Sequence, residues 1–282
     1  MRSHENKVDK KSDYYIYTAS ALAKKLFFYP LHTGYFYYET NYHLKRDSFD
    51  SFLIFLITKG SCNIRLNNVT TTATKGDVVF IDCYSPHEYG SSEEWEASWL
   101  HFDGTLSREY YNAIVQSFGN VIVPRNAQTV EHALNKICET FRNGSPIREA
   151  SISKYIVHIL TELLLSGTKK NKTSIHSSTL EDTISYINEH FAEQLSLDDL
   201  AKNASLSPFY FTRVFTRETG MTPHRYLIAT RLNSAKFLLK STNISIKEVA
   251  FNSGFTSESS FCSTFKKWEH ITPSEYRDLD SI

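Results

Sequence analysis

The chain has 282 residues, 41% of them hydrophobic, and balances 31 Lys and Arg against 31 Asp and Glu. That length fits two domains with ordinary cores, and zero net charge excludes a protein that holds polyanions by bulk charge alone. No apolar run approaches the ~20 residues that span a bilayer, and the opening MRSHENKVDKKSD is polar, so neither a membrane partner nor a secretion signal is expected.

Residues 1–13 read as a disordered arm. Residues 14–104 are rich in Tyr, Phe, Ile and Thr, in short alternating runs: FYYET, SFLIFLITKG, CNIRLNN, DVVFIDC and EASWLHFD. Gly60, Asn67-Asn68 and Gly76-Asp77 punctuate them as β-turns do, and many short strands at regular spacing predict a sandwich or small barrel. From 105 to 166 the pattern turns helical in LSREYYNAIVQSF, VEHALNKICETF and REASISKYIVHILTELLLSG. In the last, Ile152, Ile156, Ile159, Leu160 and Leu163 form a stripe that Leu164 widens. That stripe fits packing on the barrel or a dimer interface. Residues 167–178, polar and aperiodic, read as a flexible linker. Cys62, Cys83, Cys138 and Cys262 form no CxxC pair, so inert thiols in a reduced, cytoplasmic protein are expected.

The segment 179–282 contains one unit written twice. SLDDLAKNASL and SPFYFTRVFTRETGMTPHRY return as SIKEVAFNSGF and SESSFCSTFKKWEHITPSEY, with Thr256 as one extra residue. Leu200 and Ala201 match Val249 and Ala250, Phe211 and Phe215 match Phe261 and Phe265, and Pro223 and Tyr226 match Pro273 and Tyr276. Each copy reads as a helix, a tight turn and a second helix with an apolar inner stripe, which is the helix-turn-helix pattern of DNA readers. Between the copies, a helix from Pro223 to Lys240 would be roughly 27 Å long at ~1.5 Å per residue. Such a rod can hold two reading helices about one DNA turn, ~34 Å, apart. Arg225, Arg231, Lys236 and Lys240 give the rod positive charge without an acid. Beyond Ser174, however, roughly 11 Lys and Arg face about 13 Asp and Glu, so binding must rest on local charge.

These residues resemble the DNA-binding domain of AraC-type (AraC/XylS) transcriptional regulators, most clearly in IKEVAFNSGFTSESSFCSTFKKWEHITPSEYR. Members of that family usually have Arg where Ser263 stands and Gly where His270 stands. The stretch FLITKGSCNIRLNNVTTTATKGDVVFIDCYSPHEYGSSEEWEASWLHFDG is similar to the cupin-like sensory domain that precedes the reader in the family. The resemblance implies an α+β multidomain chain. Its N-terminal cupin-like β-barrel or jelly roll would be followed by a helical dimerisation segment and an all-α double helix-turn-helix domain. It also implies control of transcription, as activator or repressor, by a homodimer on double-stranded DNA that touches RNA polymerase and senses a small molecule, often a carbohydrate.

The family's sensory motif points to Arg46, His87, Tyr89 and Trp99 as ligand contacts, with Tyr35, Tyr37 and His101 as further candidates. Trp99 and Tyr89 would serve equally as core, and Arg46 as a solvated charge. On the first reading helix the outward face offers Pro208, Phe209, Thr212 and Arg213, flanked by Tyr210 and Arg217. Arg213 suits guanine O6 and N7, Phe209 and the Thr212 methyl suit thymine, and Arg217 suits phosphate. The second copy presents Glu258, Ser259, Cys262 and Ser263 for bases, with Lys266 and Lys267 for the backbone. The first unit is therefore expected to supply most base specificity. The rival from another class is a metal-dependent cupin enzyme. It would need clustered ligands, whereas His87 and Glu88 are adjacent and point to opposite faces of a strand, and His32, His43 and His101 are scattered. No enzyme activity and no cofactor are expected. A regulator whose β domain only dimerises or binds protein is the remaining alternative.

Overall fold

Strand β4 (Phe52–Lys59) shows why the run FLIFLI has no polar alternation. In the computed structural model, which describes residues 3, 5–144, 146–166 and 172–279, Phe52, Ile54 and Leu56 face a layer of helices. Leu53, Phe55 and Ile57 face a second sheet. A strand covered on both sides needs apolar residues at every position.

The chain divides into two compact units, Met1–Lys170 and Asn171–Ile282. In the first, β4 belongs to a six-stranded antiparallel sheet with β1 (Asp13–Ile16), β2 (Tyr29–Tyr38), β7 (Val78–Asp82), β9 (Trp95–Asp103) and β10 (Val121–Ile122), in the order β1-β2-β9-β4-β7-β10. Opposite it lies a four-stranded sheet, β3-β8-β5-β6, built from β3 (Tyr42–Arg46), β5 (Ser61–Leu66), β6 (Val69–Thr74) and β8 (His87–Ser91). Asn67 and Asn68, at φ 49° and 61°, make the two-residue turn of the β5–β6 hairpin, with Leu66 opposite Val69. Both central residues of such a turn need positive φ, which Asn tolerates. Between the sheets lies an aromatic core in which Tyr38 stacks on Trp95 at 3.8 Å between centroids.

The other face of the large sheet is covered by α2 (Ser107–Phe118), α3 (Ala127–Arg142) and α4 (Glu149–Leu165), while the short α1 (Ala21–Leu26) follows β1. Ile152, Ile156, Ile159, Leu160 and Leu163 of α4 are all buried in this second core, so the packing role of that stripe is filled within one chain. Leu164 points outward, 38% exposed. The stretch 105–166 is not wholly helical, because Val121 and Ile122 pair with Val79 and Val78 and add a strand to the sheet.

The expected disordered arm is instead laid down on the barrel. Val8 is buried and bridges to Tyr38, the amide of Asp9 donates to the Tyr37 carbonyl, and the Ser12 hydroxyl accepts from the Tyr37 amide. One valine inserted into the core and a few backbone bonds to a strand edge hold a polar segment whose composition alone reads as unstructured. Residues 1, 2 and 4 lie outside the described residues. Of the expected linker, 167–171 lie outside them too, and α5 (Lys172–His190) already runs from Lys172. A helix anchored by packing at its far end extends outward through Ser and Thr at small cost per residue.

The second unit continues with α6 (Leu197–Asn203), α7 (Pro208–Thr219), α8 (Pro223–Ser241), α9 (Ile246–Asn252), α10 (Glu258–Glu269) and α11 (Pro273–Asp278). The duplication is visible atom by atom. Ser196 with Asp199, and Ser245 with Glu248, form capping boxes on α6 and α9, each satisfying two orphan amides of the helix start. Ser207 and Ser257 cap the reading helices, and Thr222 and Thr272 cap Pro-initiated helices. Phe211, Phe215 and Tyr226 pack in the first core as Phe261, Phe265 and Tyr276 do in the second. Among the described residues no helix is long and apolar enough to cross a membrane.

Candidate nucleic-acid interface and ligand cavity

The reading helices present their outer faces as the i, i+3, i+4 spacing of their apolar residues requires. Phe211, Val214 and Phe215 point inward, leaving Pro208, Phe209, Arg213 and Arg217 exposed and Tyr210 and Thr212 half-buried. Phe209 is 82% exposed, a large apolar ring in water with no intramolecular reason to be there. The Arg213 guanidinium lies 5.2 Å from the Tyr210 ring centroid, a contact that limits where its flat donor edge can swing. The Thr212 hydroxyl donates to the Pro208 carbonyl at 2.8 Å, which leaves its methyl as the base-directed group. Arg217 is paired with Glu218 at 2.6 Å. Such a surface pair is worth little and can be exchanged for a phosphate.

On α10, Glu258, Ser259, Ser263, Lys266 and Lys267 are exposed. The Ser263 hydroxyl donates to the Ser260 carbonyl at 3.1 Å. Cys262 is only half-exposed and packs against the second core, where burial pushes its thiol up, so it is less available to a base than the face count suggests. The rod α8 differs more from expectation. Arg231 is buried, Lys236 pairs with Glu269 at 2.8 Å, and the Lys240 ammonium donates to the Arg277 carbonyl at 3.4 Å. Arg225 lies over the Trp268 ring at 5.4 Å. Helical spacing located these cations on the rod but did not reveal that its own neighbours take up most of their charge.

In the first unit a cavity of about 350 Å³ opens between the two sheets, its wall completed by Ser3 and Glu5 of the arm. Of the expected ligand contacts, Arg46, Tyr89, Trp99 and His101 line it. Tyr35 and Tyr37 do not. Strand alternation sends Phe36 and Tyr38 into the cavity, so their neighbours face the other way. Tyr35 bonds to Thr58 and Glu96 at 2.8 Å each, with burial pushing its phenol up to about 12, and Tyr37 lies beneath the Lys11 ammonium. His87 is buried elsewhere, its Nδ1 donating to the Ser85 carbonyl at 2.9 Å, beside a separate polar hollow. Residue-type matching missed His32, Phe36, Tyr38, Tyr42 and Glu5. The first three lie on β2, where the inward phase was readable only once one inward residue was known.

The polar groups of the cavity are mostly donors. Arg46 sits 5.0 Å from the Phe49 ring and makes no ion pair among the described residues. Trp99 Nε1 and His32 Nδ1 are buried without a hydrogen-bond partner. Buried polar atoms left this way are uncommon and each calls for an explanation. Tyr42 donates to Glu5 at 2.6 Å. His101 Nδ1 shares a 2.8 Å bond with the buried Ser51 hydroxyl. Burial first, then the charge of Arg46, keeps His32 below the usual imidazole range. Burial, followed by His32 and Arg46, holds His101 well below it. The cavity is thus an aromatic box with one fixed cation, neutral imidazoles and one carboxylate. Among the described residues no group of three or more His, Cys, Asp or Glu stands close enough together to hold a metal ion.

The family model of the AraC-like ligand binding domain matches residues 29–159, and that of a helix-turn-helix domain matches residues 200–278. The chain is 34% identical over 240 residues to the melibiose operon regulatory protein of Escherichia coli (strain K12), covering 78% of this chain and 79% of that one. It is 25% identical over 253 residues to the uncharacterized HTH-type transcriptional regulator YdeC of Bacillus subtilis (strain 168), covering 82% and 85%. An uncharacterized HTH-type transcriptional regulator of Staphylococcus aureus (strain COL) is 22% identical over 234 residues, but there the chain spans 31% of its relative's length. With a ligand-binding β unit preceding two copies of a capped helix-turn-helix, and a relative this similar along most of both chains, the chain belongs to the AraC family of DNA-binding transcriptional regulators.

Proposed function

We propose that this regulator senses a carbohydrate in the cavity of its β unit and controls transcription as a homodimer that contacts RNA polymerase. In this division of labour, residues 14–104 sense, 105–166 dimerise and 179–282 read DNA. The observation that carries the ligand class is the composition of the cavity wall: Phe36, Tyr38, Tyr42, Tyr89 and Trp99 together with Arg46 and Glu5. Aromatic faces suit the C–H side of a pyranose, and a few fixed donors and one acceptor suit its hydroxyls. The volume lies in the ordinary range for small-molecule sites, about 300–1,000 Å³. The likeness to the melibiose operon regulatory protein adds support for a carbohydrate.

On the DNA side, α7 supplies base readout through Arg213, Phe209 and Thr212, while α10, with Glu258 among its outward residues, mainly positions the duplex. The ligand reading is tested by thermal shift of the full chain against a panel of mono- and disaccharides. A sugar that binds the folded form at a hundred times its Kd adds about 2.7 kcal/mol of stability. Arg46→Ala is expected to abolish the shift while melting normally in its absence, and Trp99→Phe, which keeps most of the buried ring, to weaken it strongly. A full panel without a shift, or a shift that survives both substitutions, overturns the assignment.

A further inference from the structure

The two helix-turn-helix copies place different residues at the same left-handed turn position. Ser205, between α6 and α7, has φ 53° and is exposed; Gly254, between α9 and α10, has φ 82° and is buried. A serine at the first position shows that the turn itself accepts a side chain. What forbids one at 254 is close approach. A Cβ there would stand 2.7 Å from both the Ala192 Cα and the Phe191 carbonyl oxygen, and 2.9 Å from Nε of Arg231.

Those atoms come from two other elements. Phe191 and Ala192 follow the last turn of α5, and Arg231 lies in the middle of the rod α8. Arg231 is 9% exposed, and its Nε donates to the Phe191 carbonyl at 2.8 Å while a terminal nitrogen donates to the Glu193 carbonyl at 2.7 Å. A buried guanidinium is costly unless its donors are used, and here its planar fork bridges two carbonyls at fixed geometry. Helix α5 in turn belongs to the core of the first helix-turn-helix copy through Leu180, Ile184 and Ile187. One point therefore joins the turn of the second helix-turn-helix copy, the linker rod and the helix that packs the first copy. The two cores are otherwise distinct clusters, one on each half of the rod.

We propose that this junction sets the spacing and angle between α7 and α10, and that Arg231 and Gly254 are positioning residues for reading two successive grooves of one duplex. A rod that gives one half to each core still leaves the two helix-turn-helix copies free to twist where the halves meet. A bidentate clamp at mid-rod, closed over by a turn with no room for a methyl group, removes that freedom. The inference rests on the reading that both units engage the same DNA.

The test uses the full chain and a duplex selected by the wild type from a random-sequence library. Hydroxyl-radical footprinting of the wild type is expected to show two protected patches per subunit, about one helical turn apart. Arg231→Met and Gly254→Ala are expected to keep one patch and blur the other. Their affinity for that duplex should fall about tenfold or more, the loss of one of two tethered contacts, with binding to a duplex carrying only the stronger half-site unchanged. Arg231→Lys, which retains the charge but loses the fork, should fall between. Unchanged two-patch footprints in Arg231→Met and Gly254→Ala overturn the proposal, as does an equal loss on both duplexes. A single patch for the wild type overturns the two-groove reading and the proposal together.

Discussion

His270 ends α10 at φ 66° and ψ 0°, the conformation that Gly220 adopts at the end of α7 at φ 72° and ψ 2°. For a residue with a Cβ that conformation costs about 1–2 kcal/mol, and the exposed His270 side chain has no hydrogen bond to offset it among the described residues. His270→Gly removes the strain but adds freedom to the unfolded chain, which costs about 0.4–1 kcal/mol. The balance favours a gain of about 0.5–1 kcal/mol, read as a higher denaturant midpoint with an unchanged slope. A lower midpoint would show that the histidine makes a contact the strain argument omits. Arg231 shows what was legible at this scale. It stands four residues from Leu227 and four from Ala235, so helical spacing already placed it on the inward stripe. Its charge suggested an outward role, because a buried Arg is uncommon and its carbonyl partners, some 40 residues away, leave no local signal. The cap serines and threonines, by contrast, act within three residues and could be read directly.

Among elements, α4 has two faces with different tasks. Its inward stripe is spent on the sheet, yet Val157 and Leu164, seven residues apart and so on one face, are 37% and 38% exposed. A helix that only covers a sheet gains nothing from apolar residues on that side. If this face joins two subunits, Val157→Glu combined with Leu164→Glu should leave the β unit folded and convert the dimer to a monomer in sedimentation, with weaker DNA binding. A dimer that persists would place the interface elsewhere on the unit. Periodicity gave α4 and the reading helices because their patterns are long and locally complete. It failed on the phase of β2, where tyrosines occupy both faces: Tyr35 and Tyr37 look outward, Tyr38 inward. Alternation fixes which residues share a face, and only the partner sheet decides which face is covered.

For the whole molecule, two units with separate cores should unfold as two calorimetric transitions, and acid should separate them. His32, His87 and His101 all belong to the first unit, and burial lowers all three below the ordinary imidazole value. The unfolded chain therefore binds more protons than the native one below ~6.5, so stability rises with pH across that window and is fully present only above it. Carboxylates held low in both units, among them Glu88 by His43, Glu139 by Lys136 and Glu248 by Ser245, contribute in the same direction, but only in the more acid range where carboxylates titrate. Between about pH 7.5 and about pH 5.5 the imidazoles thus dominate. The expected result is that acidification lowers one transition, and that the sugar identified by thermal shift raises that same one. Protonation would also turn the imidazole acceptors of His32 and His101 into donors, so a cavity that binds its sugar with neutral imidazoles should hold it less tightly on the acid side. If acid and sugar act on different transitions, the cavity that holds His32 and His101 is not the sensor.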